Sequence, residues 1–130
     1  MQALAMSSTQ PIAAPATADD SLRQLIARGE HRDALALAAR LHGAVLGRVC
    51  MAMLGSRADA DEATQEALLA AHRSMAGYRG DGSLKAWLCG IARHVCARRL
   101  EQRRANARLL AAVPADADGG ALDALSLIHI

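Results

Sequence analysis

The sequence predicts an all-α protein, a compact bundle of about four helices. Hydrophobic residues make up 52% of the 130-residue chain, yet aromatic residues make up only 2% and Phe is absent. The Ala, Leu and Arg that dominate the chain favour helices, whereas the β-branched and aromatic residues that favour strands are few. Apolar residues also recur at helical spacing in several segments. The length suits one domain with a modest core.

The first two helices follow an N-terminal segment of different composition. Residues 1–18 are rich in Ala, Ser, Thr and Pro, and we expect a disordered tail there. Asp20 or Ser21 can cap a short first helix that ends at Gly29. A second helix is expected from about residue 31 to residue 54, with Gly55 as its stop. Its predicted apolar positions are Leu35, Ala38, Leu41, His42, Val45, Leu46, Val49 and Met53.

The third and fourth helices flank a glycine-rich loop, GYRGDG. The third is expected to begin near Asp59, because Asp59 and Glu62 have capping-box spacing, and to end at Gly77. Its narrow apolar face consists of Ala60, Ala63, Thr64, Ala67, Ala71 and Met75. Ser83 can cap the fourth helix, and Pro114 closes it. The apolar stripe of this helix is Leu84, Leu88, Ile91, Val95 and Leu100.

These elements define one helical domain over residues 19–113, with a linker beginning at residues 114–124. The last six residues, LSLIHI, are apolar and follow that linker. They also match what a common sequencing-library adapter encodes in this frame. We therefore expect residues 125–130 to be a non-native tail on a truncated reading frame. The alternative is a genuine short C-terminus.

Charge is distributed unevenly along the chain, although the net charge is only +2. Between Arg79 and Arg108 there are eight basic residues and two acidic ones, whereas acids outnumber bases elsewhere. A basic stripe on a nearly neutral protein indicates a site for a polyanion.

Cysteine usage and the absence of targeting signals favour a cytoplasmic location. Three cysteines without a regular framework argue against a secreted disulfide scaffold. The N-terminus lacks the features of a signal peptide, and we expect no apolar run to be long enough to span a membrane.

An acidic group marks the beginning of the third helix. Asp61 and Gln65 are four residues apart, as are Glu62 and Glu66, so the four share one side of the helix. Solvation and the helix dipole are one explanation for these charges. The other is a docking face for a basic partner helix, which Gln65 supports because an amide can bond either charge sign. We expect Gln65 and Glu66 to be exposed.

The loop and the fourth helix offer groups that suit nucleic acid. The loop has an aromatic ring, a cation, flexible backbone and a hydroxyl, a set that can hold an unstacked base, although an ordinary turn has the same composition. Arginines spread around the helix suit phosphate, although cations near a helix C-terminus also suit its dipole. Trp87 is expected to belong to the core.

Metal and catalytic sites are not predicted. Cys89, His94 and Cys96 match no standard zinc spacing, and the two cysteines suit small buried positions. The sequence has no nucleophile elbow, no phosphate loop and no carboxylate pair set in an apolar pocket. We therefore predict a protein that is not an enzyme and needs no cofactor.

The order of these features resembles region 2 of bacterial sigma-70 family sigma factors, most closely the small extracytoplasmic-function (ECF) type. The resemblance is carried by DADEATQEALL, then YRGDGSLKAWLCGIARH, then an Arg-rich helix, and it covers about residues 20–104. The first motif is moderately specific alone, and the two at this spacing are strongly specific.

The resemblance implies a transcription initiation factor that binds core RNA polymerase and promoter DNA, with an anti-sigma factor as a further partner. Asp61, Glu62, Gln65 and Glu66 match the part that grips the β′ clamp helices. The loop and fourth helix match the part that opens the −10 element and traps a flipped base, which stabilises single strands over duplex. The implied DNA-binding residues are Tyr78, Arg79, Gly80, Asp81, Ser83, Lys85, Arg93, His94, Arg98, Arg99, Arg103 and Arg104.

The sequence also departs from the family pattern. Residues that differ from the usual ones are Leu68, His72, Cys89, His94 and Arg98. They leave the fold intact and put promoter preference in doubt. Full members carry a second helical domain that reads the −35 element, and we expect this chain to stop in the linker before it because of truncation. The alternatives are a stand-alone helical DNA-binding regulator and an adaptor that occupies the polymerase clamp site.

Overall fold

The computed structural model describes residues 17–80 and 82–113. Within them the chain forms four α-helices and a 3-10 turn, without strands, which confirms the all-α prediction. The elements are α1 (Ala18–Ala27), α2 (His31–Leu54), α3 (Arg57–Ser74), the 3-10 turn (Met75–Gly77) and α4 (Leu84–Ala111). The predictions for residues 1–16, for Asp81, and for the linker and tail at residues 114–130 lie outside the described residues.

Helix α1 begins earlier than predicted. Its N-cap is Thr17 and not Asp20 or Ser21, because Thr17 and Asp20 form a reciprocal capping box with two hydrogen bonds of 3.0 Å. The backbone and side-chain bonds from Thr17 lower the pKa of Asp20. The helix ends at Ala27, and Gly29 then takes a left-handed φ of 78°. The capping box therefore fixes the entry into the bundle.

Helix α2 is the central element and packs against α1, α3 and α4. Gly55 stops it as predicted, with φ of 74° and its N–H donating to the Met51 carbonyl at 2.9 Å. The predicted apolar face is correct only in part, since Leu41 is exposed and Leu35, Val45, Val49 and Met53 are only partly buried. The fully buried residues are Ala34, Ala38, Leu46, Cys50 and Leu54. Because α2 has neighbouring helices on several sides, its buried residues do not form a single narrow stripe.

The same helix is long and apolar enough to cross a membrane by length and composition alone, so the prediction that no segment reaches that length is wrong. The core helix of a helical bundle passes the same test. The contacts of α2 with the three other helices place its fully buried residues inside the domain.

Helix α3 also begins before its predicted start. Ser56 is the N-cap, and its hydroxyl accepts from the Asp59 backbone N–H at 3.3 Å, so the predicted Asp59–Glu62 capping box is wrong. The small-residue face is confirmed, with exposures of 2% or less at all five of its buried positions. These are Ala60, Ala63, Ala67, Ala71 and Met75. Such short side chains allow α2 and α4 to approach α3 closely.

Helix α4 closes the bundle and provides the basic residues. Ser83 caps it as predicted, accepting from the Ala86 N–H at 3.1 Å. Its buried side chains are Leu84, Leu88, Cys89, Ala92, Val95 and Cys96, with Ile91 and Leu100 partly buried. The helix continues beyond the bundle to Ala111, where Leu109 and Leu110 are exposed.

Candidate functional site

The acidic group on α3 divides between two sides of the helix. Asp61 and Gln65 are exposed and border a groove against the middle of α2, where Gly43 and Gly47 leave room beside the backbone. Asp61 forms only a loose pair with Arg57, at 3.8 Å between highly exposed side chains. A pair of this kind contributes little to stability, so Asp61 can leave Arg57 for a partner at low cost. The exposed Gln65 beside it is accessible to the same partner.

Glu62 and Glu66 lie on the other side and are tied to α4. One guanidinium, that of Arg99, contacts Glu66 Oε1 at 2.9 and 3.0 Å and Glu62 Oε1 at 3.3 Å. The prediction that Gln65 and Glu66 are exposed is therefore correct for Gln65 and only half correct for Glu66, which is partly buried. The contact joins the proposed docking residues to a predicted DNA-binding residue.

The environment of Arg99 strengthens this contact. Its side chain is only 30% exposed. Partial burial tends to lower the pKa of Arg99, but the hydrogen bonds to Glu66 and then Glu62 outweigh it and raise the pKa above its ordinary value. Charge-assisted hydrogen bonds between a planar guanidinium and carboxylates are among the stronger polar contacts in proteins.

A second arginine repeats the pattern one turn later. Arg103 pairs with Asp59 of α3 and donates to the Leu54 carbonyl at 3.4 Å. Arg99 and Arg103 follow Cys96 at helical spacing and so continue the buried stripe of α4 toward α3. We call Arg99 and Arg103 the inner row.

Three further arginines of α4 are more exposed to solvent. Arg93, Arg98 and Arg104 are exposed, and none of them forms an ion pair within residues 17–80 and 82–113. We call these three the outer row. Lys85 and His94 are also exposed on α4. The outer row is therefore available for phosphate, whereas the inner row is already engaged.

The loop before α4 has one half-buried aromatic residue and an exposed remainder. Tyr78 lies against Trp87, with ring centroids 4.8 Å apart and planes inclined at 51°. The Tyr78 hydroxyl is buried and has no hydrogen-bond partner among the described residues. Trp87 packs against the core, as predicted. One face of Tyr78 is thus occupied, while Arg79 and Ser83 remain exposed.

Contacts from α1 hold this loop, although no motif in the sequence predicts them. Arg23 donates to the Gly82 carbonyl at 3.3 Å, and Asp19 bonds His42 of α2 at 2.8 Å. Both contacts join residues distant in the sequence, so no helical spacing signals them. The helix thereby links the loop to the centre of the bundle.

The cysteines form part of the core. Cys50, Cys89 and Cys96 are buried free thiols. Burial and then a hydrogen bond with Cys50 raise the pKa of Cys96 to about 12. Among the described residues, no three His, Cys, Asp or Glu side chains are grouped to hold a metal ion. The helical core therefore uses its thiols as small apolar groups.

Comparison with known families identifies this arrangement. Residues 37–106, from α2 into the second half of α4, match the family model for sigma-70 region 2. The chain belongs to the sigma-70 family. The curated relatives that this sigma region 2 domain matches are sigma factors of the ECF type. Sigma factors are transcription initiation factors and not enzymes.

Two relatives from Mycobacterium tuberculosis illustrate the similarity. The ECF RNA polymerase sigma factor SigG is 44% identical over 55 residues, which are 42% of this chain and 15% of that protein. The ECF RNA polymerase sigma factor SigM is 34% identical over 67 residues, which are 52% of this chain and 34% of that protein. The matches thus span a minor part of each relative. No solved structure matches the chain significantly.

Proposed function

We propose that this sigma region 2 domain docks core RNA polymerase through α3 and engages the −10 element of a promoter through the loop and α4. The observation that carries the proposal is the placement of two oppositely charged surfaces on adjacent sides of one bundle. The acidic surface contains Asp61, Glu62, Gln65 and Glu66. The basic surface is the outer row together with the exposed loop.

The acidic surface suits a helical partner of positive charge. Asp61 and Gln65 border the α2–α3 groove, and the exposed Met51 also lines that groove. Arg48 and Arg57 line it as well, so the excess of negative charge on the acidic surface comes from adding Glu62 and Glu66. Apolar contact beside carboxylates and an amide is the combination that fixes both affinity and register at a protein interface. We propose the β′ clamp helices as that partner, and an anti-sigma factor as a competitor for the same domain in the cytoplasm.

The basic surface suits single-stranded DNA. The outer row can contact phosphates along one side of α4, and the loop exposes Arg79, Gly80 and Ser83 for an unstacked base. Because a loop fits an extruded base only when the duplex is open, binding stabilises the melted −10 element. Promoter opening would then require no chemical step by the protein itself.

Co-purification with bacterial core RNA polymerase tests the docking surface. Gln65→Ala with Asp61→Lys should abolish binding, because the pair removes the amide and reverses a charge while leaving the Arg99 contacts intact. Gln65→Ala with Glu66→Lys should also abolish it. Asp33→Lys, at an exposed position of the first turn of α2, is the matched charge control and should bind like the parent.

The result that would end the proposal is a folded parent chain that does not retain core polymerase. Circular dichroism of every variant verifies the fold. A parent that binds duplex DNA tightly without polymerase would instead favour the stand-alone regulator.

A further inference from the structure

We propose that Arg99 is a positioning residue of the polymerase-docking surface and not a DNA contact. The inference rests on the proposed function and reassigns a residue that the family resemblance places with the DNA-binding arginines. Arg99 would act through Glu62 and Glu66, whose carboxylates it holds in place for the incoming partner.

The atoms used by Arg99 support this role. Its contacts to both glutamates run through Oε1, at 3.3 Å to Glu62 and at 2.9 and 3.0 Å to Glu66. A carboxylate can accept hydrogen bonds at both oxygens. The Oε2 atom of each glutamate therefore remains for a cation of the partner, while Oε1 fixes the side chain.

The charges around Arg99 also support a positioning role. Glu62 and Glu66 are four residues apart on α3, and like charges at this spacing repel each other. Arg99 lies between them and offsets the repulsion. Side chains that are already ordered lose less conformational entropy when a partner binds. The guanidinium thus presents two carboxylates in fixed positions to the polymerase.

The position of Arg99 on α4 separates it from DNA. It continues the buried stripe that includes Cys96, and its side chain is only 30% exposed. Arg98 lies about 100° further round the helix, on the exposed side. A phosphate can reach Arg98 directly, whereas Arg99 would first have to leave two carboxylates.

The affinity of the full chain for core polymerase tests this role of Arg99. The direction in which the affinity changes on substitution distinguishes positioning from a simple charge effect. Arg99→Met keeps the alkyl stem but removes the guanidinium, which makes the docking surface one charge more negative. Charge alone would then tighten the binding of a basic partner. Loss of positioning should instead weaken it, and we expect a loss of about tenfold.

Two further variants make this measurement specific. Arg99→Lys retains the cation and should recover part of the affinity, although it cannot reproduce the planar contacts to both carboxylates. Arg108→Met removes the same charge from an exposed position of α4 and should bind polymerase like the parent. Thermal unfolding of each variant separates a change in affinity from a change in stability.

A DNA measurement provides the second arm. The affinity of the full chain for a single-stranded −10 oligonucleotide is measured at several salt concentrations. Arg98→Met should reduce the slope of log affinity against log salt by about 0.7, the value for one lost phosphate contact on a single strand. Arg99→Met should leave the slope unchanged.

The outcomes distinguish this inference from the function on which it rests. A parent that fails to bind polymerase overturns the proposed function and the positioning role together. If the parent binds, and Arg99→Met binds polymerase equally or more tightly, the positioning role alone is wrong. A salt slope reduced in Arg99→Met as much as in Arg98→Met would make Arg99 a DNA contact.

Discussion

The inner and outer rows of α4 contain the same residue type on the same helix and yet have different surroundings. Arg99 and Arg103 of the inner row pair with carboxylates of α3. Arg93, Arg98 and Arg104 of the outer row are exposed and have no ion pair in the described part of the chain. Adjacent positions, such as 98 and 99 or 103 and 104, fall into different rows.

The comparison shows that an Arg-rich helix is not a uniform basic surface. An arginine that already contacts carboxylates contributes to the joint between two helices, and only an unpaired one adds an available positive charge for phosphate. The number of arginines in α4 therefore overstates its capacity for DNA. Three changes test the distinction, beginning with the largest expected effect.

The inner row depends on close approach of α3 and α4. Ala63, one residue after Glu62, is fully buried on the small-residue face of α3. Ala63→Leu should overpack this face, cost about 1–3 kcal/mol of unfolding free energy and separate the inner row from its carboxylates. Urea denaturation measures the loss, and Ala36→Leu, at an exposed position of α2, should change stability little. Equal stability of the two variants would show that the helix interface is not tightly packed.

The core beneath the inner row should respond to alkaline pH. The pKa of the buried Cys96 is raised from 9.0 to about 12, so the folded chain keeps this thiol protonated where the unfolded chain has lost its proton. The contribution to stability is complete below pH 9 and is lost as the pH rises toward 12. Each pH unit in that window should cost roughly 1 kcal/mol.

Denaturant unfolding at pH 8, 9 and 10 follows this loss, and Cys96→Ala provides the comparison because it lacks the thiol at position 96. The parent should lose more stability than the variant over this range. Identical pH dependence in the two chains would show that the thiol does not resist ionisation.

The smallest expected effect is a difference in unfolding free energy between substitutions at the adjacent positions Arg103 and Arg104. Arg103→Met loses the contacts to Asp59 and to the Leu54 carbonyl and should destabilise the fold by about 0.5–1 kcal/mol at low salt. Arg104→Met loses no ion pair among the described residues and should stay within about 0.5 kcal/mol of the parent. The difference should shrink in high salt, since both groups of the pair are partly exposed. A larger loss for Arg104→Met would reverse the assignment of the rows.

The sequence predicted much of the fold because local signals dominate there. The all-α class, the stop at Gly55, the small-residue face of α3 and the cap at Ser83 are confirmed. The N-caps of α1 and α3, Thr17 and Ser56, were not predicted. In both cases an acidic residue three positions later offered an alternative helix start. The core face of α2 was assigned only in part, because a helix surrounded by several neighbours shows weak periodicity.

The candidate site was harder to predict, since its details depend on contacts between helices. Spacing alone grouped Asp61, Glu62, Gln65 and Glu66 on one side of α3, but it could not show that Arg99 of α4 contacts two of them. The helical spacing of α4 did contain a signal, because Arg99 and Arg103 continue the stripe of buried residues that includes Cys96. Cations that follow a stripe of apolar residues at the same helical spacing lie on the same side of the helix and so face the neighbouring helix.

The Tyr78–Trp87 pair gives the domain an optical reporter of its own. The chain has a single Trp and a single Tyr, and the two rings lie 4.8 Å apart at the base of the loop. At this distance light absorbed by the phenol reaches the indole, so emission arises mainly from one chromophore. An oligonucleotide carries no such emitter. Once the absorption of ultraviolet light by the DNA is corrected for, a change in emission on adding DNA therefore reports a change around Trp87 without any attached dye.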